Sequence, residues 1–357
     1  MPAKAPAAAQ ATPASTPATR GRRRKLKAAV LGASGYAGAL AARLLHRHPR
    51  FELAAVTSRS DAGTWLSDLY PYHRVPLTLE ELDFDRHAKV DAAIVAYPHG
   101  ASAPVVSDLR DRGVRVVDLS ADFRLRDLRV YEEWYREHPA PGLIDDAVYG
   151  LPELYREQIA SADLVANPGC YPTAAILALA PLASARKIND VVVDAKSGVS
   201  GAGRAATDKT HFVAVDENVS AYGVPRHRHT PEIEQELAAL GNEVTITFTP
   251  HLLPLDQGEL VSCYATLTDP GLSTGEIEAL YADAYASERF VELTATPPGV
   301  RDVRESNVCR ISVHRDDRTG RVIVFSAIDN LWKGTASQAV QNLNLMFGLP
   351  EDEGIQA

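Results

Sequence analysis

Cysteine is scarce in this chain: Cys170, Cys263 and Cys309 are the only three in 357 residues, widely spaced and without a C-x-x-C pair. That spacing excludes a zinc cage and a disulfide framework, and it fits a reducing cytosol. Long apolar runs are also missing. No stretch approaches the ~18 uncharged apolar residues needed to span a bilayer, and the start lacks the continuous apolar core of a secretory signal. Nor is there an excess of positive charge. With 37 Lys and Arg against 46 Asp and Glu, the net charge of −9 argues against broad binding to nucleic acid or membrane surfaces and favours small-molecule partners. No internal repeat is visible, and the length suits two domains.

Acidic residues are absent before Glu52, and 12 of residues 1–20 are Ala or Pro, followed by the cluster Arg20-Gly21-Arg22-Arg23-Arg24-Lys25. Residues 1–26 are therefore expected to form a disordered basic tail. An Arg-rich, acid-free start also resembles an organellar transit peptide. This one is short and poor in Ser, so a solvated bacterial extension ranks first and the expected location is cytoplasmic.

From Lys27 apolar runs at Ala28 to Leu31, Leu53 to Val56, Ala92 to Ala96 and Val114 to Leu119 alternate with helical segments such as Ala39 to Arg47 and Ala103 to Arg112. Short buried strands alternating with helices predict an α/β, doubly wound parallel sheet. Longer strand-like runs follow: Asp190 to Lys196, Glu243 to Thr249, Glu259 to Thr268, Val291 to Thr296, Val308 to His314 and Arg321 to Ala327. These predict an α+β domain with a mainly antiparallel sheet and helices at Pro231 to Leu240 and Thr274 to Ser287 on one face. A last helix, about Thr335 to Phe347, is placed back on the first domain. The expected division is 27–169 with 329–357, and 170–328.

Gly32, Gly35 and Gly38 follow the first strand in G-x-x-G-x-x-G spacing, with Ser34 and Tyr36 between them. Such glycines let a backbone approach a pyrophosphate at a helix N-terminus, so this turn is read as a dinucleotide site. After the second strand Ser58 and Arg59 stand where an NAD site would carry a carboxylate, and the first acid is Asp61. Hydroxyls beside an arginine suit a 2′-phosphate, which predicts NADP.

Asn167-Pro168-Gly169-Cys170-Tyr171-Pro172-Thr173 places one thiol between a short apolar strand and an apolar helix from about Thr173 to Leu182. Unpaired N–H groups and the helix dipole there favour a thiolate, and are expected to bring the thiol from about 8.5 toward or below neutrality. Cys263 and Cys309 fall in strands and are expected to be packed side chains. His227 and His229 alternate on what reads as an extended segment, so both would face one side. Thr230 is expected to cap a helix beginning at Pro231, with Glu232 one turn away to hold the second ring nitrogen of His229. His229 is the first choice for acid/base work, with His227 its rival. A metal site is not expected, since the H-x-H pair has no third ligand in register.

In this order, the nucleotide turn, the N-P-G-C-Y-P-T cysteine and the H-R-H-T-P-E-I element resemble the N-acetyl-γ-glutamyl-phosphate reductase family of arginine biosynthesis. The stretch Val165 to Pro181 fits most specifically. The resemblance implies a Rossmann domain joined to a catalytic and dimerisation domain, as in aspartate-semialdehyde dehydrogenase, and a homodimer or homotetramer. It implies reduction of an acyl phosphate to an aldehyde with NADPH, with Cys170 as nucleophile of a thioester route. Arg124 resembles the phosphate-binding position, with Asn167 beside the nucleophile. The Ser197 to Gly203 loop, including Ser200 and Gly201, would present N–H groups to ligands, and Lys196 or Arg204 would meet a carboxylate. Pro98 and His99 would form a loop over the nicotinamide, and Asn330 would hold its carboxamide. Aspartyl phosphate and a carrier-linked aminoadipyl phosphate are the alternative substrates. An inactive nucleotide-binding regulator is the alternative of a different class.

Overall fold

The computed structural model describes residues 24–355. Most of the expected tail lies outside them, but its proposed end falls late. Leu26 already opens the first strand, and Arg24 pairs with Asp91 at 3.3 Å.

The first sheet contains β1 (Leu26–Leu31), β2 (Phe51–Thr57), β3 (Ala92–Val95), β4 (Arg115–Asp118), β5 (Ala147–Tyr149) and β6 (Leu164–Ala166), in the order β2-β1-β3-β4-β6-β5. Every pairing is parallel. Helices cover both faces, so Ala28–Leu31 and Ala92–Val95 are fully buried and read as continuous apolar runs. β5, three residues long, has no period to detect and was not anticipated. The order reverses between β1 and β3, whose carboxyl ends therefore open the crevice where such sheets bind ligands. The helix Ser337–Met346 packs here: Val340, Leu343 and Met346 share a core with Leu40, Leu44 and Phe51.

The second sheet contains β7 (Ile188–Gly198), β8 (Ser220–Ala221), β9 (Ile246–Leu253), β10 (Glu259–Leu267), β11 (Val291–Leu293), β12 (Cys309–Asp316) and β13 (Arg321–Ile328). Its order is β11-β12-β13-β10-β7-β9-β8, and only β7 with β9 and β11 with β12 run parallel. Against one face lie the helices Cys170–Ser184, Thr230–Ala239 and Thr274–Tyr285. Residues 171–183 of the first of these are all buried, which explains its uniform apolar sequence and lack of an amphipathic stripe. The other face leaves Val192, Tyr264, Ile323 and Phe325 only half-buried.

The Cys170 helix begins three residues earlier than the sequence pattern suggests, so Cys170 is its first residue and Gly169 its N-cap. Pro172 does not delay the start, because a first-turn N–H has no helical partner to lose. Where the final helix begins, Lys333 is fully buried and donates to Glu153 Oε1 at 2.6 Å and Gln341 Oε1 at 3.1 Å. Lys333→Met strands the buried Glu153 carboxylate and is expected to cost about 3–5 kcal/mol in chemical denaturation, most of it recovered by adding Glu153→Leu.

Candidate active site

β1 ends beside the dinucleotide turn. Gly32 has φ +92°, and a Cβ there would sit 2.6 Å from the Ala96 carbonyl oxygen, so only glycine lets β3 approach this closely. The following helix, Tyr36–Arg47, has Gly35 as N-cap, no side-chain cap and no acidic residue in its first turn. Its open donors and positive dipole end fit a pyrophosphate. The Ser34 and Ser58 hydroxyls lie 2.8 Å apart, joining the turn to the end of β2. Arg59 lies over the Tyr97 ring, 5.2 Å from its centroid.

Arg204 reaches this turn from the second domain, donating to Asp61 Oδ2 at 3.0 Å and the Ser34 carbonyl at 3.4 Å. Hydrogen bonds from Ser60 and then Arg204 hold the Asp61 carboxyl below its usual range. Arg204 thus faces the nucleotide side, contrary to the expectation that it meets a substrate carboxylate. A cavity of about 290 Å³ lined by Tyr36, Ser200, Gly203, Arg204 and Phe212 lies beneath it.

The thiol site assembles around Gly169. A Cβ on Gly169 would lie 2.5 Å from His229 Nε2 and 3.0 Å from Arg124 Nη1, so both side chains cover the residue preceding Cys170. Behind it the Glu232 carboxylate accepts from the Gly169 N–H at 2.9 Å, the Tyr149 hydroxyl at 2.9 Å and Arg124 Nη1 at 3.3 Å. Glu232 therefore does not hold His229 as expected; the His229 Nδ1 has no hydrogen-bond partner. Thr230 is not the cap either. His229 occupies the N-cap position with φ −83° and ψ −12°, so a turn rather than an extended segment brings the two histidine rings together, 4.8 Å between centroids.

His227 Nδ1 accepts the His229 backbone N–H at 3.2 Å, and its ring packs edge-on against Tyr171, Tyr222 and Phe248. That leaves His229 as the ring aimed at Gly169. Burial, then the nearby His227, Arg124, His99 and Arg228, keep His229 well below its ordinary value, so it is neutral at pH 7. The thiol also departs from expectation. Burial, followed by the neighbouring Glu259 carboxyl, pushes Cys170 well above its ordinary value rather than toward neutrality.

Other expected ligand residues are already occupied by protein partners. Arg124 donates to the carbonyls of Asn167 and Leu119, both at 2.8 Å, besides its bond to Glu232, which engages three of its five N–H donors and leaves one on each terminal nitrogen. Asn167 is fully buried and linked to Asn342 and Thr335. Lys196 donates to Asp194 Oδ2 at 2.6 Å, whereas Ser197, next along β7, faces Gly201. Asn330 accepts from the Gly258 N–H at 2.7 Å and donates to Ser200 Oγ at 3.0 Å, so it braces the Ser200 loop rather than offering a free amide. The Pro98-His99 loop is held by Asp122, which accepts from the N–H groups of Gly100 and Ala103. His99 Nδ1 accepts from the Ala121 N–H, and burial, with Arg124, Arg228 and Arg136 nearby, pushes it down to about 3.

Two neighbours of Cys170 were missed. Gly334 lies so close that a Cβ there would sit 2.8 Å from the Cys170 Cβ, and no sequence signal marked that contact. Glu259 did carry a signal: in Glu259–Leu267 it falls in phase with the buried Val261, Cys263, Ala265 and Leu267.

Comparison with known proteins accords with this arrangement. A family model described as "Semialdehyde dehydrogenase, NAD binding domain" matches residues 27–162, and one described as "Semialdehyde dehydrogenase, dimerisation domain" matches 170–330. The N-acetyl-gamma-glutamyl-phosphate reductase of Moorella thermoacetica is 52% identical over 342 residues, covering 93% of this chain and 98% of that protein. The one from Desulforamulus reducens is 51% identical, covering 92% and 98%. Among solved structures, aspartate semialdehyde dehydrogenase II of Vibrio cholerae, complexed with ASA, aligns with TM-score 0.70 at 19% identity over 91% of this chain and 99% of that one. The Candida albicans aspartate semialdehyde dehydrogenase, solved with NADP, gives 0.66 at 15% identity, covering 90% and 98%. These two show the shared fold, and the family model over residues 27–162 points to a nicotinamide dinucleotide as cofactor. The chain belongs to the N-acetyl-γ-glutamyl-phosphate reductase family, within the semialdehyde dehydrogenases.

Proposed function

We propose that this chain reduces N-acetyl-γ-glutamyl phosphate to N-acetylglutamate 5-semialdehyde, releasing phosphate, through a thioester on Cys170. The observation that carries this reading is the juxtaposition of His229 Nε2 over Gly169 with the adjoining thiol at the first position of a buried helix. A thiolate displaces phosphate readily, and a thioester accepts hydride far better than an acyl phosphate does. Cys170 sulfur forms the bond to the acyl carbon while the bond to the phosphate oxygen breaks. His229, neutral and lacking a partner at Nδ1, handles the proton at the reacting oxygen. Arg124 contributes its positive charge beside the attack point, and the remaining N–H on each of its terminal nitrogens can meet the phosphate.

Bound NADPH supplies the hydride. The turn formed by Gly32, Ser34, Gly35, Tyr36 and Gly38 would hold its pyrophosphate, and Pro98, His99, Ser200 and Gly201 would flank the crevice. Arg59, with Ser58 beside it, is our choice for the 2′-phosphate. The nearby Asp61 would oppose that phosphate were it not already paired with Arg204. The cytoplasm, whose reducing conditions keep the thiol free, is the proposed location.

The half-buried face of the second sheet, with Val192, Tyr264, Ile323 and Phe325, is our candidate for pairing two copies, and dimers of this kind can pair again into a tetramer. Sedimentation velocity of the purified chain is expected to give a dimer or tetramer; a monomer at micromolar concentration would overturn this.

The reverse assay, with N-acetylglutamate semialdehyde, phosphate and NADP, reads substrate and phosphate dependence together, and no turnover would refute the assignment. Cys170→Ser is expected to lower kcat by roughly 10³-fold or more while cofactor still binds, and His229→Asn by about 10²–10⁴-fold. Arg59→Ala is expected to weaken NADPH by about 10–100-fold and leave NADH little changed, measured as KM for each. Equal losses for the two would refute the 2′-phosphate contact.

A further inference from the structure

Just past β2 the dinucleotide crevice carries a carboxylate, Asp61, and the loop that bears it is fixed in place. The Ser58 hydroxyl oxygen accepts from the N–H groups of Ser60 and Asp61 at 3.3 and 3.1 Å, which curls residues 58–61 into a tight turn. Asp61 Oδ2 then accepts from the Ser60 hydroxyl at 2.6 Å, the Ser58 hydroxyl at 3.4 Å and Arg204 Nη1 at 3.0 Å. The Ser34 hydroxyl, 2.8 Å from that of Ser58, joins this loop to the glycine turn. Asp61 is therefore held at the mouth of the crevice by its own loop, with or without Arg204.

Arg204 comes from the other domain. It follows the short turn Val199–Ala202, whose Ser200 N–H is tied to the Asp256 carbonyl, and Gly203 between them takes the left-handed angle φ +89°. Only Nη1 of its guanidinium is engaged, by Asp61 and the Ser34 carbonyl; Nε and Nη2 have no hydrogen-bond partner among the described residues. The Arg204 side chain is 40% exposed and that of Asp61 16%, so the pair faces the crevice and water screens it only in part.

In a dinucleotide fold, a carboxylate roughly 20 residues beyond the glycine turn accepts from the ribose hydroxyls of NAD and repels the 2′-phosphate of NADP. Asp61 is ionised at neutral pH, held below the usual carboxylate range by the Ser60 hydroxyl first and then by Arg204. Unpaired, it would select NAD. We infer that Arg204 sets the preference of this crevice for NADP by cancelling the Asp61 charge from across the domain boundary, an inference that rests on the 2′-phosphate reading above. Arg59 then attracts the phosphate without a fixed anion opposing it. Cofactor selectivity of the first domain thus depends on a residue of the second, and the net charge of the pair, rather than either residue alone, is what the 2′-phosphate senses.

This is tested by calorimetric titration of the full-length protein with NADP and with NAD, without substrate and at low salt. Arg204→Ala leaves Asp61 unpaired and is expected to weaken NADP about tenfold, with NAD unchanged or tighter. Asp61→Asn leaves the guanidinium unpaired and is expected to tighten NADP about threefold. The double variant, lacking both charges, should return NADP to within about threefold of wild type, and Arg204→Lys should keep the wild-type preference. Raising salt to about 0.5 M should shrink the Arg204→Ala loss, which a missing packing contact would not do. An unchanged ratio of NADP to NAD affinity in Arg204→Ala overturns the inference. So does a double variant as weak as Arg204→Ala, since Arg204 would then be a direct phosphate ligand and not a shield. Arg59→Ala, titrated alongside, separates the two levels: equal losses for NADP and NAD there sink the 2′-phosphate reading itself, whereas a selective loss there with none in Arg204→Ala sinks only the role of Arg204.

Discussion

The buried carboxylate of Glu232 is the constraint on which the site depends. It accepts from the Gly169 N–H, the Tyr149 hydroxyl and Arg124, and Arg124 in turn grips the carbonyls of Asn167 and Leu119. Five segments are thereby joined: the ends of β4, β5 and β6, the first turn of the histidine helix and the cap of the cysteine helix. Removing one partner would leave an unpaired charge in a dry interior, which is worth several kcal/mol and is far larger than any single packing contact here. The pair therefore sets where Gly169 lies, and Gly169 sets how Cys170 and His229 meet.

The same arrangement divides the local electrostatics. Burial first, then His227 and the positive charge of Arg124, keeps His229 neutral, so that ring does not rest as an imidazolium. The Glu259 carboxyl, in contrast, adds to burial in favouring the protonated thiol.

Much of the fold was legible because it rests on periodicity. The strand runs, the glycine turn and the two sheet types follow from alternation and apolar runs, and those patterns survive packing. The site was legible only in part. Cys170, His227 and His229 could be found from residue type and neighbours, but the protein partners of Arg124, Lys196 and Arg204 could not. Charge is visible in a sequence and its partner is not: Arg124 meets a carboxylate 108 residues away and Arg204 one 143 residues away. The expected cap at Thr230 failed for a smaller reason. A threonine before Pro231 reads as a cap, yet His229 already has helical-type angles and takes that place.

The thiol shows how magnitudes decide such readings. A helix N-terminus offers an anion about 0.3–1 kcal/mol, at most ~2 in buried geometry, whereas full burial moves an ionisable group by up to 3–5 pKa units, several times as much. Cys170 is at the helix start and is only partly buried, yet the loss of water around its sulfur, with the Glu259 carboxyl adding to it, outweighs the dipole and the resting sulfur keeps its proton. A nucleophile of this kind is not activated by its position in the chain. A thiol that keeps its proton at rest reacts readily once a bound acyl phosphate places its carbon against the sulfur and the proton is removed. Helix position locates the nucleophile, while its reactivity is set by what is packed against the sulfur.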